Sequence, residues 1–242
     1  FFSSGFKEAA ILVVDGQGPE LEKKVSTSIW KGSREKLELV EIPYSNRGDF
    51  IPQSIGHFYT AVGAMAGMQN LHEEGKTMGL SAYGEESEFL DFFRKYVQSE
   101  KDGSFFIDPR LILAAFGNTF GSRFYNWKPQ PKRIQEVWDE FISIRGRDIR
   151  KSGEEVSISD MNIAYAGQKV LEDLMLGLAK RTKKLTGFSN LCLSGGVMLN
   201  GISNRRIREC NLFEEVYVLA LKKYEEGNSL LDLNKSLAKD SL

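Results

Sequence analysis

Asn190-Leu191-Cys192-Leu193-Ser194-Gly195-Gly196-Val197-Met198-Leu199-Asn200 is the stretch on which the fold turns. Leu191 and Leu193 alternate about Cys192, the pattern of a short buried strand. Gly195-Gly196 ends it. Glycine carries no Cβ and tolerates positive φ, so backbone can come close to a ligand there. From Val197 to Cys210 the spacing turns helical, with Val197, Ile202 and Ile207 apolar and Arg205, Arg206 and Arg208 clustered. A strand, a glycine pair and a helix leave free N–H groups at the helix start, which suits a phosphate or a nucleotide. The same pattern also makes a tight β-α turn that binds nothing, and a lone glycine pair does not separate the two.

Upstream, Ser159-Asp160 caps a long predicted helix from Met161 to about Thr186, ended by Gly187. Its basic end (Lys180, Arg181, Lys183, Lys184) complements the helix dipole and predicts a solvated helix end. The helix delivers the chain into the Asn190 strand, and a further strand follows at Glu215 to Leu219, so this third of the chain is an α/β unit.

The amino-terminal part predicts a buried strand, Ala9 to Val14, running into Asp15-Gly16-Gln17-Gly18. An Asp at a strand end beside a glycine turn can hold a cation while the turn presents N–H groups. Asp-Gly is equally a hairpin signal. Lys24 to Trp30 and Lys36 to Ile42 predict further strands of an antiparallel meander, with Glu20 to Lys24 and Lys31 to Lys36 as loops. From Ile55 to Leu71 the period is helical, and His57 near its start is either a base or ligand or a structural histidine. Gly75-Lys76-Thr77 resembles part of a P-loop, but the pattern needs glycine five positions before Gly75, where Asn70 stands. Lys76 can still hold an anion as a point charge. Helices are predicted at Ser87 to Glu100 and Pro131 to Arg150, and a short strand at Gly103 to Asp108. Gly117 to Trp127, with Phe120, Phe124, Tyr125 and Trp127, either packs a sugar ring or serves as core.

The net charge is −1, which argues against a general nucleic-acid binder. No apolar run approaches the roughly 18 residues of a membrane span. The start has no signal-peptide pattern and no initiator Met, which implies a longer parent chain. Cys192 and Cys210 make no disulfide framework, and Cys192 is expected as a small core residue. The expected location is cytoplasmic.

Three stretches in this order resemble one family. They are Val13-Val14-Asp15-Gly16-Gln17-Gly18; Ser54-Ile55-Gly56-His57-Phe58-Tyr59-Thr60 with Glu74-Gly75-Lys76-Thr77-Met78-Gly79-Leu80-Ser81-Ala82-Tyr83-Gly84; and Leu193-Ser194-Gly195-Gly196-Val197-Met198-Leu199-Asn200 with Asn204. The chain from Phe1 to about Val218 resembles the amino-terminal domain of the O-carbamoyltransferases of the nodulation-factor, cephamycin and tobramycin type. The resemblance implies an α/β fold of the actin/hexokinase/Hsp70-like class, incomplete here. It divides the chain into residues 1–221, the central part of that domain, and 222–242, a divergent or truncated tail; the carboxy-terminal family domain is absent.

The implied activity is transfer of a carbamoyl group from carbamoyl phosphate, through an ATP-derived carbamoyl-adenylate, to a hydroxyl of a sugar or natural product. The implied cofactors are ATP and a divalent metal, Fe or Mg. Carried over by position, Asp15 is the metal ligand. Gly16, Gly18, Gly195, Gly196, Asn200 and Asn204 belong to the nucleotide site. His57 and Lys76 are the catalytic candidates, His57 as base and Lys76 at phosphate or carbamoyl. The family's metal-binding histidine pair would lie ahead of Phe1, and a later Asp-Ala-Gly-like metal loop is replaced by Leu219-Ala220-Leu221-Lys222-Lys223. Asp232 and Asp240 lack its glycine context. The chain alone is therefore expected to be an incomplete enzyme with weak or no activity. The alternatives are a non-catalytic nucleotide-binding fragment and an ATPase or sugar kinase of the same superfamily. The expected partner is a small hydroxyl acceptor, with no nucleic acid and no membrane; oligomeric state stays open, a homodimer included.

Overall fold

A computed structural model describes residues 1–20, 23–46, 53–121, 132–151 and 153–218. It is a mixed α/β structure. The central sheet runs in the order β3 (Lys36–Glu41), β2 (Lys23–Ser33), β1 (Glu8–Glu20), β7 (Asn190–Ser194), β8 (Glu215–Val218), and the short β4 (Ser45–Asn46) also pairs with β2. β1, β2 and β3 form the expected antiparallel meander, while β7 and β8 continue the sheet in parallel. Alternation sorts β1 into two faces. Ala10, Leu12 and Val14 join the main core with the helices, and Ala9 and Ile11 join Cys192 in a smaller cluster on the other side. Cys192 is buried there, as expected of a small core residue.

The Asp15-Gly16 pair does not turn the chain. β1 continues through it to Glu20, so both the strand-end and the hairpin-turn expectations for this pair are corrected. Val14 pairs with Thr27 and Gly18 with Val25, so Asp15, Gly16 and Gln17 stand opposite Ser26 alone. This is a β-bulge, which bends the strand and frees backbone groups from the ladder. The predicted loops shrink as well: β2 starts at Lys23 and runs to Ser33, leaving Arg34-Glu35 as the turn to β3.

The helices are α1 (Ile55–Met65), α2 (Glu74–Ser81), α3 (Glu88–Tyr96), α4 (Pro109–Thr119), α5 (Lys132–Arg145), α6 (Ile158–Thr186) and α7 (Gly201–Glu209). A two-stranded ribbon, β5 (Val97–Ser99) with β6 (Phe105–Ile107), follows α3, so the helix predicted to Glu100 stops earlier. α1 ends at Met65 rather than Leu71, with Gly67 in the left-handed region.

The cap of α6 is Ser157, not Ser159-Asp160. Ser157 and Asp160 make a reciprocal capping box, each satisfying the other's backbone N–H. Asp160 also receives the buried Arg145 guanidinium at 2.5 Å, and Arg145 further donates to the Met65 carbonyl. The ends of α1, α5 and α6 thus meet at one ion pair. At the other end of α6, Gly187 closes the helix in the left-handed conformation. The basic run there is not wholly solvated: Arg181 forks onto Glu41 of β3 at 2.6 and 2.7 Å and reaches Asp102. The Glu41 hydrogen bonds hold the Arg181 guanidinium above its ordinary range.

Of the aromatic stretch at 117–127, Gly117 to Thr119 belong to α4, and Phe120 is buried against Phe116. Phe124, Tyr125 and Trp127 lie outside the described residues, as does the expected tail at 222–242.

Candidate functional site

The bulge of β1, the start of α1 and the turn after β7 converge on one point. Ser54 brings α1 to the bulge. It is buried, its Oγ donates to the Gly16 carbonyl at 2.6 Å, and it accepts the His57 N–H at 3.1 Å as the α1 N-cap. Gly56 makes the approach possible, because a Cβ there would lie 2.6 Å from Gly16 N and Cα. With α1 so placed, the His57 imidazole lies along Gly16, its Nε2 3.8 Å from where a Gly16 Cβ would stand. Phe116 of α4 packs edge-on against the ring.

From the other side comes the glycine pair. Gly195 has φ +98°, and a Cβ on it would strike the Val14 carbonyl oxygen at 2.2 Å. That contact locks the turn against β1, next to the bulge. A Cβ on Gly196 would stand 2.9 Å from Asp15 Oδ1. Asp15 therefore faces the turn, and the same Oδ1 accepts the Gly16 N–H at 2.7 Å. Asp15, Gly16, His57, Gly195 and Gly196 are thus brought together although they span most of the described chain.

The remaining predicted site residues fall differently. Gly18 lies where β1 rejoins the ladder, opposite Val25. Asn200 is buried and caps α7: its Oδ1 accepts the Ser203 N–H at 2.9 Å, and its amide pairs with Gln168. This cap splits the predicted Val197–Cys210 helix into a 3-10 turn, Gly196–Leu199, and α7. Asn204 donates to the Met198 carbonyl at 2.7 Å, while its Oδ1 is buried with no hydrogen-bond partner among the described residues. Lys76 lies on α2 with its ammonium on Glu73 at 2.6 Å and its side chain largely exposed. The structure groups it with Glu73 rather than with Asp15 and His57. That contact, against a weaker opposing effect of burial, lowers the Glu73 carboxyl from its usual range.

Two residues, Ser54 and Gln168, take roles that the sequence does not assign them. Ser54 carried a signal, since Ser before an amphipathic helix is an N-cap candidate. Gln168 carried none beyond its place on an apolar helix.

Residues 1–225 match the model of a family described as the carbamoyltransferase N-terminus. The chain belongs to that family. Among curated relatives of this carbamoyltransferase N-terminal domain is an uncharacterised protein of Synechocystis sp., 30% identical over 219 residues, covering 90% of this chain and 31% of the relative. The nodulation protein NolO of Bradyrhizobium diazoefficiens is 23% identical, covering 90% of this chain and 33% of its own length. The nodulation protein NolNO of Sinorhizobium fredii is 22% identical, with 90% and 26% covered. The domain thus spans about a third or less of the relatives it matches. Among the described residues no helix is long and apolar enough to cross a membrane.

The buried Asn204 Oδ1 is an acceptor that would take a donor such as a ligand hydroxyl or amine rather than a phosphate oxygen. A glycine turn suits a phosphate-bearing ligand, although the Cβ directions of Gly195 and Gly196 are taken by Val14 and Asp15. Asp15 fits a hard cation that arrives with such a ligand, since Mg²⁺ uses one or two protein carboxylates plus phosphate oxygens. A protein-held iron is not matched, because no three His, Cys, Asp or Glu side chains gather among the described residues.

Proposed function

We propose that this domain carries the nucleotide site of a carbamoyltransferase that acts on a sugar or natural-product hydroxyl. One observation carries the reading: Asp15, Gly16, His57, Gly195 and Gly196 meet at the β1 bulge, where glycines let the backbones pack within Cβ reach of one another, in a chain of the carbamoyltransferase N-terminal family. The sheet supports the actin/hexokinase/Hsp70-like class, with its antiparallel meander continued by parallel strands.

Carbamoyl phosphate loses phosphate to water, giving carbamate. A carbamate oxygen displaces pyrophosphate from the α-phosphorus of ATP, giving carbamoyl-adenylate. The acceptor hydroxyl attacks the carbamoyl carbon, AMP leaves, and the hydroxyl proton passes to a base. The glycine turn lets the phosphates approach the backbone. Asp15 would hold Mg²⁺, which offsets phosphate charge when bound. His57, whose ring lies along Gly16 of the bulge, would serve as the base, and a placed base contributes roughly 10²–10⁴-fold. Lys76 must leave Glu73 to reach a phosphate, so we assign it a secondary role.

The test is calorimetric titration of ATP with Mg²⁺ into this chain and into Asp15→Ala. Metal-dependent binding that the variant loses supports the site and licenses an assay with carbamoyl phosphate in a chain of the relatives' full length. A folded chain that binds no ATP refutes this site as a self-sufficient one. Transfer of the γ-phosphate to a sugar in that assay would establish a kinase instead.

A further inference from the structure

Behind the glycine turn lies a buried polar cluster that the proposed chemistry does not use. Gln168, at the middle of α6 and almost wholly buried, is its centre. Its Oε1 accepts from Tyr59 Oη at 2.7 Å and from Asn200 Nδ2 at 2.8 Å. Its Nε2 donates to Asn200 Oδ1 at 3.1 Å. Gln168 and Asn200 therefore form a reciprocal amide pair, with the Tyr59 hydroxyl on the same oxygen.

The orientation of these groups follows from one backbone donor. Asn200 Oδ1 accepts the Ser203 N–H, so that atom must be oxygen. Its other amide atom is then the nitrogen, which must meet the Gln168 oxygen, and Tyr59 must donate. Burial above all pushes the Tyr59 phenol up, which keeps that donor protonated. Both lone-pair sites of the Gln168 oxygen are filled, so one carbonyl ties two elements to α6. Tyr59 is two residues from His57 on α1, and Asn200 ends the turn that begins with Gly195-Gly196.

We propose that Gln168 is a positioning residue that fixes the His57 helix and the Gly195-Gly196 turn against each other. Its bearing on catalysis rests on the nucleotide reading above. The loss of Gln168 takes the acceptor from the Tyr59 hydroxyl and from Asn200 Nδ2, and each then seeks another geometry. Both halves of the site lose their common reference.

The experiment compares Gln168→Met, Tyr59→Phe and the double variant with the parent chain, each below its melting temperature. Amide exchange is followed in α7 and in β1–β2, and ATP affinity is measured with Mg²⁺. Gln168→Met should speed exchange in the first turn of α7 and weaken ATP binding by about tenfold. Tyr59→Phe, a milder change on a different helix, should do the same to about threefold. The double variant should be no worse than Gln168→Met, because both act through one oxygen. Unchanged α7 exchange in both single variants overturns the proposal, as does unchanged ATP affinity in variants whose exchange rises everywhere alike. If the parent chain binds no ATP while Tyr59→Phe still loosens α7, the nucleotide reading falls and the positioning role stands.

Discussion

Asp15 and Gly196 face each other across the gap between β1 and the turn after β7, and a single added methyl on Gly196 would stand 2.9 Å from the Asp15 carboxylate oxygen. A methyl added to the neighbouring Gly195 would instead strike the Val14 backbone carbonyl oxygen, at 2.2 Å. These two glycines therefore respond to substitution in different ways. Gly196→Ala presses on a side chain that can rotate. It should fold, lower stability by about 1 kcal/mol and weaken ATP binding tenfold or more. Gly195→Ala presses on backbone and needs a left-handed conformation, so it should lose about 3 kcal/mol or more. Urea denaturation of both variants, with calorimetry on Gly196→Ala, checks the contrast. Equal stability losses would mean that the turn is not seated on Val14.

Gly56 permits the contact between α1 and the bulge, and nothing there can yield, since the atoms facing it are Gly16 N and Cα. Gly56→Ala should cost about 3 kcal/mol. It should also move His57, so ATP affinity should fall in the fraction that remains folded. Thermal melting with and without ATP would show both effects.

The Arg145–Asp160 pair has both side chains fully buried. Removing one member leaves a charge without its partner, which costs about 3–5 kcal/mol. Arg145→Met should therefore destabilise the chain by that amount while leaving nucleotide affinity of the folded chain unchanged, because the pair joins helix ends rather than site residues. A urea series read beside ATP titrations decides it. A loss under about 1 kcal/mol would mean that Arg150, 3.6 Å from Asp160 Oδ2, replaces the lost guanidinium.

Glu140 gives a signed pH dependence. Burial raises its carboxyl, but hydrogen bonds from Lys95 at 2.7 Å and Tyr96 at 2.6 Å outweigh it, and the net direction is down. A carboxyl depressed in the folded state stabilises above its unfolded pKa, about 4.3. That contribution is lost as pH falls through the lower folded value. Glu140→Gln should therefore flatten the decline of stability below about pH 4.3 and reduce stability at pH 7. Chemical denaturation from pH 3 to 7 on both chains measures the difference. Parallel curves would remove Glu140 from the acid response.

Cys192 is buried on the minor face of the sheet, and burial raises its thiol. Cys210 ends α7 at an intermediate exposure, its Sγ 2.9 Å from the Ile207 carbonyl. Titration with a thiol reagent at pH 8 should show one reactive thiol in the folded chain and two in urea. Two reactive thiols without denaturant would place the β1–β7 pairing in doubt.

Much of this architecture was legible in the residues. A continuous apolar run marked β1, alternation marked β7, strand-like stretches marked β2, β3 and β8, and apolar period marked α1, α3, α5 and α6, because each element carries its own burial pattern. The family was legible too, through stretches around Asp15, Lys76 and Gly195 that the family model also matches as part of residues 1–225. The boundaries were less so. Asp15-Gly16 has hairpin composition, yet α1 and the glycine turn pack on it and hold it as a bulge. A local preference cannot register such distant neighbours. Ser159-Asp160 looked like a cap, but the box is made by Ser157, since Asp160 is drawn inward to Arg145.

By itself, then, the sequence determined most of the strands and helices, the α/β class and the family, because periodicity and turn chemistry act over a few residues and are written along the chain. Only the tertiary structure decided which polar residues share a site. It placed His57 beside Gly16 through Ser54, paired Lys76 with Glu73, and turned Asn200 into a cap held by Gln168. The physical reason is that hydrogen-bond partners and close backbone contacts are chosen among residues far apart in sequence, where the requirement to satisfy every buried polar group acts only after the elements have packed.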